Sequence, residues 1–198
     1  RLAEKYLERA ASKGHNSAQL NLGLLYQSGI EGAPDYRKAI YWLQMSAESG
    51  NPKANGAIGQ LYLAGQGVEK NVTKAIHHLE LSAAVGEVYS QYNLALLLRG
   101  VNDGPIDEER SAFWLTQAAE RNFAAAQVEL AINYLKGTGV QIDYAEAYKW
   151  ALLSASSDDE RGEKIRTYCE ENLQDEDLDE GRLRAEAFLQ SRAEPGSP

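Results

Sequence analysis

The sequence predicts an all-α solenoid of stacked 36-residue helix–turn–helix repeats, closed by a C-terminal helical cap. Three observations carry the prediction. Trp42, His78, Trp114 and Trp150 stand 36 positions apart, as do Ala47, Ala83, Ala119 and Ala155. Within each period, apolar and small residues recur at helical spacing. Between the helices, Gly-rich turns and Asp or Asn residues return in the same phase, the signature of an array rather than of one closed domain.

The elements follow in order. Ala3, Tyr6 and Ala11 fall 36 before Ala39, Trp42 and Ala47, so the chain opens in phase with a half repeat. Four full units follow, at about 15–50, 51–86, 87–122 and 123–157. In the first helix of a unit, Ala18, Leu22, Gly23 and Tyr26 share a face; Gly59 and Tyr62 match the last two, and Ala95 and Ala131 replace the glycine later. Small residues there let a neighbouring helix approach closely. In the second helix, Ala39, Trp42, Leu43, Ser46 and Ala47 lie at i, i+3, i+4, i+7 and i+8. The same face recurs as Ala75, His78, Leu79, Ser82 and Ala83, then from Ser111 and from Ala147.

The turns SGIEGAPDY, AGQGVEKNV, RGVNDGPID and KGTGVQIDY occupy one phase. Gly accepts the positive φ that ends a helix, and Asp35, Asn71, Asp107 and Asp143 are expected N-caps of the second helices. Gly14, Gly50 and Gly86 close the second helices, with Asn122 in the next slot. A single hairpin cannot bury its own apolar face; stacking against neighbours does so. The third unit departs most, with Leu98 in the Tyr position and a loop lengthened before Pro105, expected to be locally rearranged.

Residues 158–190 leave the period but still read as helical, with Ile165, Tyr168 and Cys169 on one face and Leu178, Leu183, Ala187 and Phe188 on another. This pair is the expected cap, since solenoid ends need a polar outer face. Residues 191–198 are expected to be a disordered tail. The net charge of −9 is concentrated here: from Asp158 onward there are thirteen acidic and six basic residues. The block reads as the solvated face of the cap, or as a docking surface for a basic partner.

Composition excludes several classes. An acidic chain lacks the basic surface a nucleic-acid binder needs, and no apolar run is long enough to span a membrane. The opening RLAEKYLERA, without Met or a signal core, suggests a trimmed N-terminus. Cys169 is the one cysteine, in an acidic segment that raises rather than lowers a thiol pKa.

The stretch GQGVEKNVTKAIHH, residues 65–78, raises the question of chemistry. Its glycines lack the Lys-Ser/Thr of a phosphate loop and follow a helix rather than a strand. His77 and His78 are adjacent, so they diverge by about 100° on a helix and cannot chelate one ion. His78 stands in a Trp slot and reads as a packed residue. No catalytic, cofactor-binding or metal-ligating set emerges, and no enzyme activity or cofactor is expected.

Segments such as AQLNLGLLYQSGIEGAPDYRKAIYWLQMSA and AQVELAINYLKGTGVQIDYAEAYKWALLSA resemble the Sel-1-like repeat, a relative of the tetratricopeptide repeat. The resemblance covers residues 1–157 and implies a right-handed α/α superhelical solenoid whose concave face, lined by the first helices, grips a protein segment. By analogy with tetratricopeptide arrays, the concave face takes Ser17, Leu20, Leu24 and Gln27, then Lys53, Gly56, Gln60 and Leu63. Tyr89, Tyr92, Leu96 and Arg99 continue it, followed by Val128, Ile132, Leu135 and Lys136. The competing reading makes Leu20, Leu24, Leu96 and Ile132 helix–helix core. Tyr89 and Tyr92 are the expected aromatic anchors, and Arg99 and Lys136 the expected partners of carboxylates.

The resemblance further implies a bacterial, exported or periplasmic protein, with a cytoplasmic location as the alternative, acting as a monomeric adaptor, scaffold or regulator. An inhibitor or immunity protein masking a secreted toxin or enzyme is the second implied role. The β-lactam chemistry linked to cysteine-rich relatives does not carry over, because paired cysteines are missing.

Overall fold

A computed structural model describes residues 2–29, 32–157 and 159–193. Among them are eleven α-helices: α1 (Leu2–Ala11), α2 (Asn16–Ser28), α3 (Tyr36–Glu48), α4 (Pro52–Ala64), α5 (Val72–Ala84), α6 (Val88–Leu97), α7 (Glu108–Ala119), α8 (Ala124–Lys136), α9 (Tyr144–Ala155), α10 (Glu160–Asn172) and α11 (Asp175–Ala193). No strand occurs among the described residues. Two compact units result, Arg1–Pro105 and Ile106–Pro198, and their boundary falls in the lengthened loop of the third repeat.

In the first unit, α1 to α6 pack each on the next in chain order. The periodic face is the core: Leu22, Leu43, Ile58, Leu61 and Leu79 are fully buried, with Ala39, Ala54 and Ala75 between them. Close approach explains the Leu-Gly pair of the first helices. A Cβ on Gly23 would lie 2.6 Å from Cγ of Leu43, and one on Gly59 2.8 Å from Cγ of Leu79. Glycine lets these two hairpins close that tightly, while Ala95 and Ala131 take the slot in the later repeats.

The expected caps form. Asp35 accepts from the Lys38 amide at 3.0 Å and Asn71 from the Lys74 amide at 2.9 Å. In the second unit Asp107 and Asp143 accept from Arg110 and Glu146. Each such cap contributes about 1 kcal/mol. Asn122 takes the left-handed conformation, φ 61°, that Gly14, Gly50 and Gly86 hold in the other units, consistent with Asn being the best non-Gly occupant of that region.

Gly67 shows why the turn reads Gly-x-Gly. Its φ is 73°, and a Cβ would sit 2.5 Å from the carbonyl of Tyr36, at the start of α3 in the preceding repeat. One loop thus rests backbone to backbone on the neighbouring hairpin. In the third repeat the same slot holds Asp103, still at φ 66°, and its carboxylate pairs with Lys70 at 2.8 Å. The contact between repeats is kept, but by an ion pair. The local rearrangement expected here is a 3₁₀ turn at Val101–Asp103, with Asn102 also left-handed at φ 56°.

A ladder of buried amides ties successive repeats. Gln19 donates to the Ala11 carbonyl at 3.2 Å and Gln91 to that of Ala83 at 3.1 Å; in the second unit Gln127 donates to Ala119 at 3.1 Å. These glutamines are 36 or 72 residues apart, so the ladder belongs to the repeat.

In the second unit α7, α8 and α9 pack in order, and α10 and α11 both dock on α9. The docking face is the expected one only in part: Cys169 and Leu178 of the expected faces are buried and Ile165 and Phe188 half-buried, but other members turn outward. Tyr168 and Leu183 are 51% and 61% exposed, and Ala187 is exposed, whereas Gly162, Cys169, Leu178, Gly181 and Ala185 are buried. Glycine decides the rotation of each helix: a Cβ on Gly162 would meet the Ser154 carbonyl carbon at 2.6 Å, and one on Gly181 the Ala145 oxygen at 2.8 Å. Phe188 reaches Trp150 edge to face, centroids 5.4 Å apart.

Arg184 of α11 holds the cap to α9, donating to Asp143 at 2.8 Å and to Glu180 at 2.9 Å, which raises its guanidinium above the ordinary range. α11 runs to Ala193, so 191–193 are helical rather than tail, and the rest of the expected disordered segment lies outside the described residues.

Candidate functional site

The first-helix residues fall into rows with distinct exposure. Ser17, Lys53 and Tyr89, one per repeat in the first unit, are all exposed, Tyr89 at 72%. Leu24 and Gln60 are exposed and Leu96 half-buried in a second row. The row between them points inward: Leu20 is buried in the core, Gly56 and Tyr92 are half-buried, and in the second unit Val128 is buried. Leu20 and Val128 are therefore packing residues, because their row faces the seam between helices. Gln27, Leu63 and Arg99 form a further half-buried row. In the second unit Ile132 and Leu135 are half-buried and Lys136 is exposed at the end of α8.

The first unit brings several of these together. Gln60 and Leu63 of α4 and Leu96 of α6 line a cleft of about 330 Å³. Ala64, Asn93, Leu97, Val101 and Asn102 complete it, and these five were outside the expected set. Val101 and Asn102 arrive through the 3₁₀ turn, whose left-handed residues bend the chain back against α6. The lengthened loop was the available signal, but its conformation was not. The cleft offers an apolar wall of leucines with amide groups of Gln60, Asn93 and Asn102, chemistry suited to a peptide backbone with an apolar side chain.

His78 has the packed character that its slot implies, whereas His77 is exposed. His78 is stacked on Tyr62, rings 5.7 Å apart and 11° from parallel, and its Nδ1 lies 2.9 Å from Oδ1 of Asn55. Burial holds its pKa below the ordinary histidine value, and the nearby His77 and Lys74 act in the same direction. Asn55 occupies the ladder position of Gln19 and Gln91. One methylene shorter, it turns to His78 instead.

The remaining reactive groups are held quiet. Cys169 is fully buried, and burial, then the Glu170 carboxylate, pushes its thiol up to about 11. Tyr26 donates to Glu8 at 2.8 Å and to Glu4 at 3.0 Å, and burial together with those carboxylates raises its phenol far above the ordinary value. Tyr148 makes the matching bond to Glu170 at 2.9 Å in the second unit. Among the described residues no three His, Cys, Asp or Glu side chains cluster as a metal would require, and no helix is long and apolar enough to cross a membrane.

The Sel1 repeat pattern matches residues 1–15, 16–51, 52–87, 88–123 and 124–159. Among solved structures, the chain is similar to c5321, a protective antigen present in uropathogenic Escherichia coli strains displaying an SLR fold. That match has a TM-score of 0.84 and 28% identity, over 98% of this chain and 44% of the antigen. A Sel1 repeat protein from Oxalobacter formigenes matches with a TM-score of 0.77 and 26% identity, over 97% of this chain and 78% of that one. Immunity protein Pa5087 from Pseudomonas aeruginosa shares the fold at a TM-score of 0.50 and 20% identity, over 98% and 81% of the two chains. This chain thus spans less than half the length of the antigen it matches. No curated protein matches it.

Proposed function

The chain belongs to the Sel1 repeat family, and from that premise we propose that it is a protein-interaction module gripping a partner segment across its first helices, as an adaptor, scaffold or regulator. Sel1 repeat proteins generally mediate protein–protein interactions. The observation that carries the finer reading is the exposed row Ser17, Lys53 and Tyr89 beside the cleft of Gln60, Leu63 and Leu96. A tyrosine 72% exposed at a helix start is a large amphipathic surface of the kind that dominates binding energy once desolvated. Lys53 adds a cation for a partner's carboxylate.

Capture with the folded chain, followed by mass spectrometry, identifies the partner. Tyr89→Ala combined with Gln60→Ala then weakens that complex at least tenfold while the helical melting transition stays near wild type. Unchanged affinity for the purified partner would defeat the reading. A second role, an inhibitor or immunity protein masking a toxin or enzyme, is favoured by the appearance of this fold in an immunity protein. A stoichiometric complex that abolishes the captured partner's activity separates it from a scaffold, which leaves activity intact.

A further inference from the structure

The second repeat carries a cleft away from the first-helix row. Gln44, Ala47 and Glu48 of α3, Asn55 and Ile58 of α4, and His78 and Leu81 of α5 line about 310 Å³. Its apolar surface comes from the half-buried Ala47 and the exposed Leu81, with Ile58 fully buried beneath them. Polar groups stand at the mouth, the Glu48 carboxylate and the Gln44 amide.

The repeat itself says what the volume fits. Position 78 is tryptophan in every other full unit, at Trp42, Trp114 and Trp150. In the first repeat Trp42 packs on the core cluster that includes Ala11 and Leu22, the residues 36 before Ala47 and Ile58. In the second unit Trp150 is only 2% exposed. At position 78 the imidazole is smaller than an indole, and Asn55 has drawn it into a 2.9 Å hydrogen bond while it stacks on Tyr62. The paired changes, Trp to His and Gln to Asn, coincide with one difference in burial: Ala47 is only half-buried, whereas Ala11, Ala83 and Ala119, in the same slot of three other repeats, are at most 2% exposed. A dry cavity of about 150 Å³ already accepts benzene, so a bicyclic ring has room.

We propose that this cleft receives a tryptophan side chain of a protein partner, the indole seated against Ala47 and Leu81, above the buried Ile58, in place of the repeat's missing one. Glu48 at the mouth is available to an indole N–H and repels ligands that carry a carboxylate, which points to a residue within a chain rather than a free indole acid. The inference rests on the reading that partners are proteins, but its site is separate from the first-helix row.

The test uses the ¹⁵N-labelled full chain and N-acetyl-tryptophanamide as probe. Saturable amide shifts are expected at Ala47, Ile58 and Leu81, with a dissociation constant in the millimolar range and weaker binding of indole-3-acetate. His78→Trp fills the cleft from within and lowers affinity at least tenfold. Leu81→Ala, at a residue 46% exposed, removes one wall without burdening the fold and lowers affinity severalfold. No saturable shift at these residues, wild-type affinity in either folded variant, or a preference for indole-3-acetate overturns the proposal. Partner capture that survives Leu81→Ala while falling with Tyr89→Ala strikes the cleft alone, and the reverse pattern strikes the first-helix row alone.

Discussion

The second and fourth repeats share a turn and differ in what they pack. Gly65 and Gly137 end α4 and α8 in the left-handed region, with φ of 65° and 72°. Gly67 and Gly139 each press on the preceding second helix: a Cβ would lie 2.5 Å from Tyr36 oxygen in one case and 2.0 Å from Glu108 oxygen in the other. Asn71 and Asp143 cap the next helix alike. Yet His78 stands where Trp150 does, Asn55 where Gln127 does, and Leu61 where Asn133 does. The turns are held constant by backbone approach, which tolerates no side chain. The packing slots are free to vary because each is bounded by side chains that can shift, and there the repeats acquire individual character.

The largest effect that would break this comparison is at the two ends of one slot. Trp150 of α9 is 2% exposed and packs edge to face on Phe188 of α11, so Trp150→Ala is expected to cost about 3–5 kcal/mol. His78 is half-buried beside an open cleft, and His78→Ala should cost less than about 1.5 kcal/mol. Urea unfolding of both variants measures the gap; equal losses would mean that the slot is equally used in both repeats.

How much of this was legible depends on what the period encodes. The hairpins, the four caps and the left-handed Asn122 were readable, because backbone geometry demands particular residues at particular phases. The row that faces the seam was not: Leu20 and Leu24 are the same residue type four positions apart, and only packing makes one buried and the other exposed. The cap's two helices were readable, but its docking face only in part, for a related reason. Its buried face is built on Gly162, Gly181 and Ala185, and a search for large apolar residues picks Tyr168 and Leu183 instead. The Asn55–His78 pair was visible in principle, since both residues break their slots in the same repeat.

Asn133 sharpens the comparison from the other side. It is 1% exposed, and neither its amide nitrogen nor its oxygen finds a partner, in the slot that Leu25, Leu61 and Leu97 fill. An unsatisfied buried amide costs about 1–3 kcal/mol. Asn133→Leu should restore the repeat's own solution, stabilising the fold by a similar amount and raising the melting temperature by roughly 4 °C. A lower melting temperature in that variant would mean that Asn133 has a polar partner when the protein is in solution.

The smallest expected effect is the pH dependence of the second repeat. His78 is held neutral in the fold because burial disfavours its charged form, and the positive charge of Lys74 and the adjacent His77 add to that. In the unfolded chain the same imidazole titrates near about 6.5. As pH falls through that value the unfolded state takes up the proton first, so stability present above it is lost below, down to the depressed folded pKa. Melting temperatures of the wild type and of His78→Trp, compared between pH 7.5 and pH 5, cancel the carboxylates common to both. The wild type should lose roughly 2 °C or less relative to the variant. Parallel curves would show that the imidazole is not buried as described, and the cleft beside it would then lack the wall that distinguishes this repeat from its neighbours.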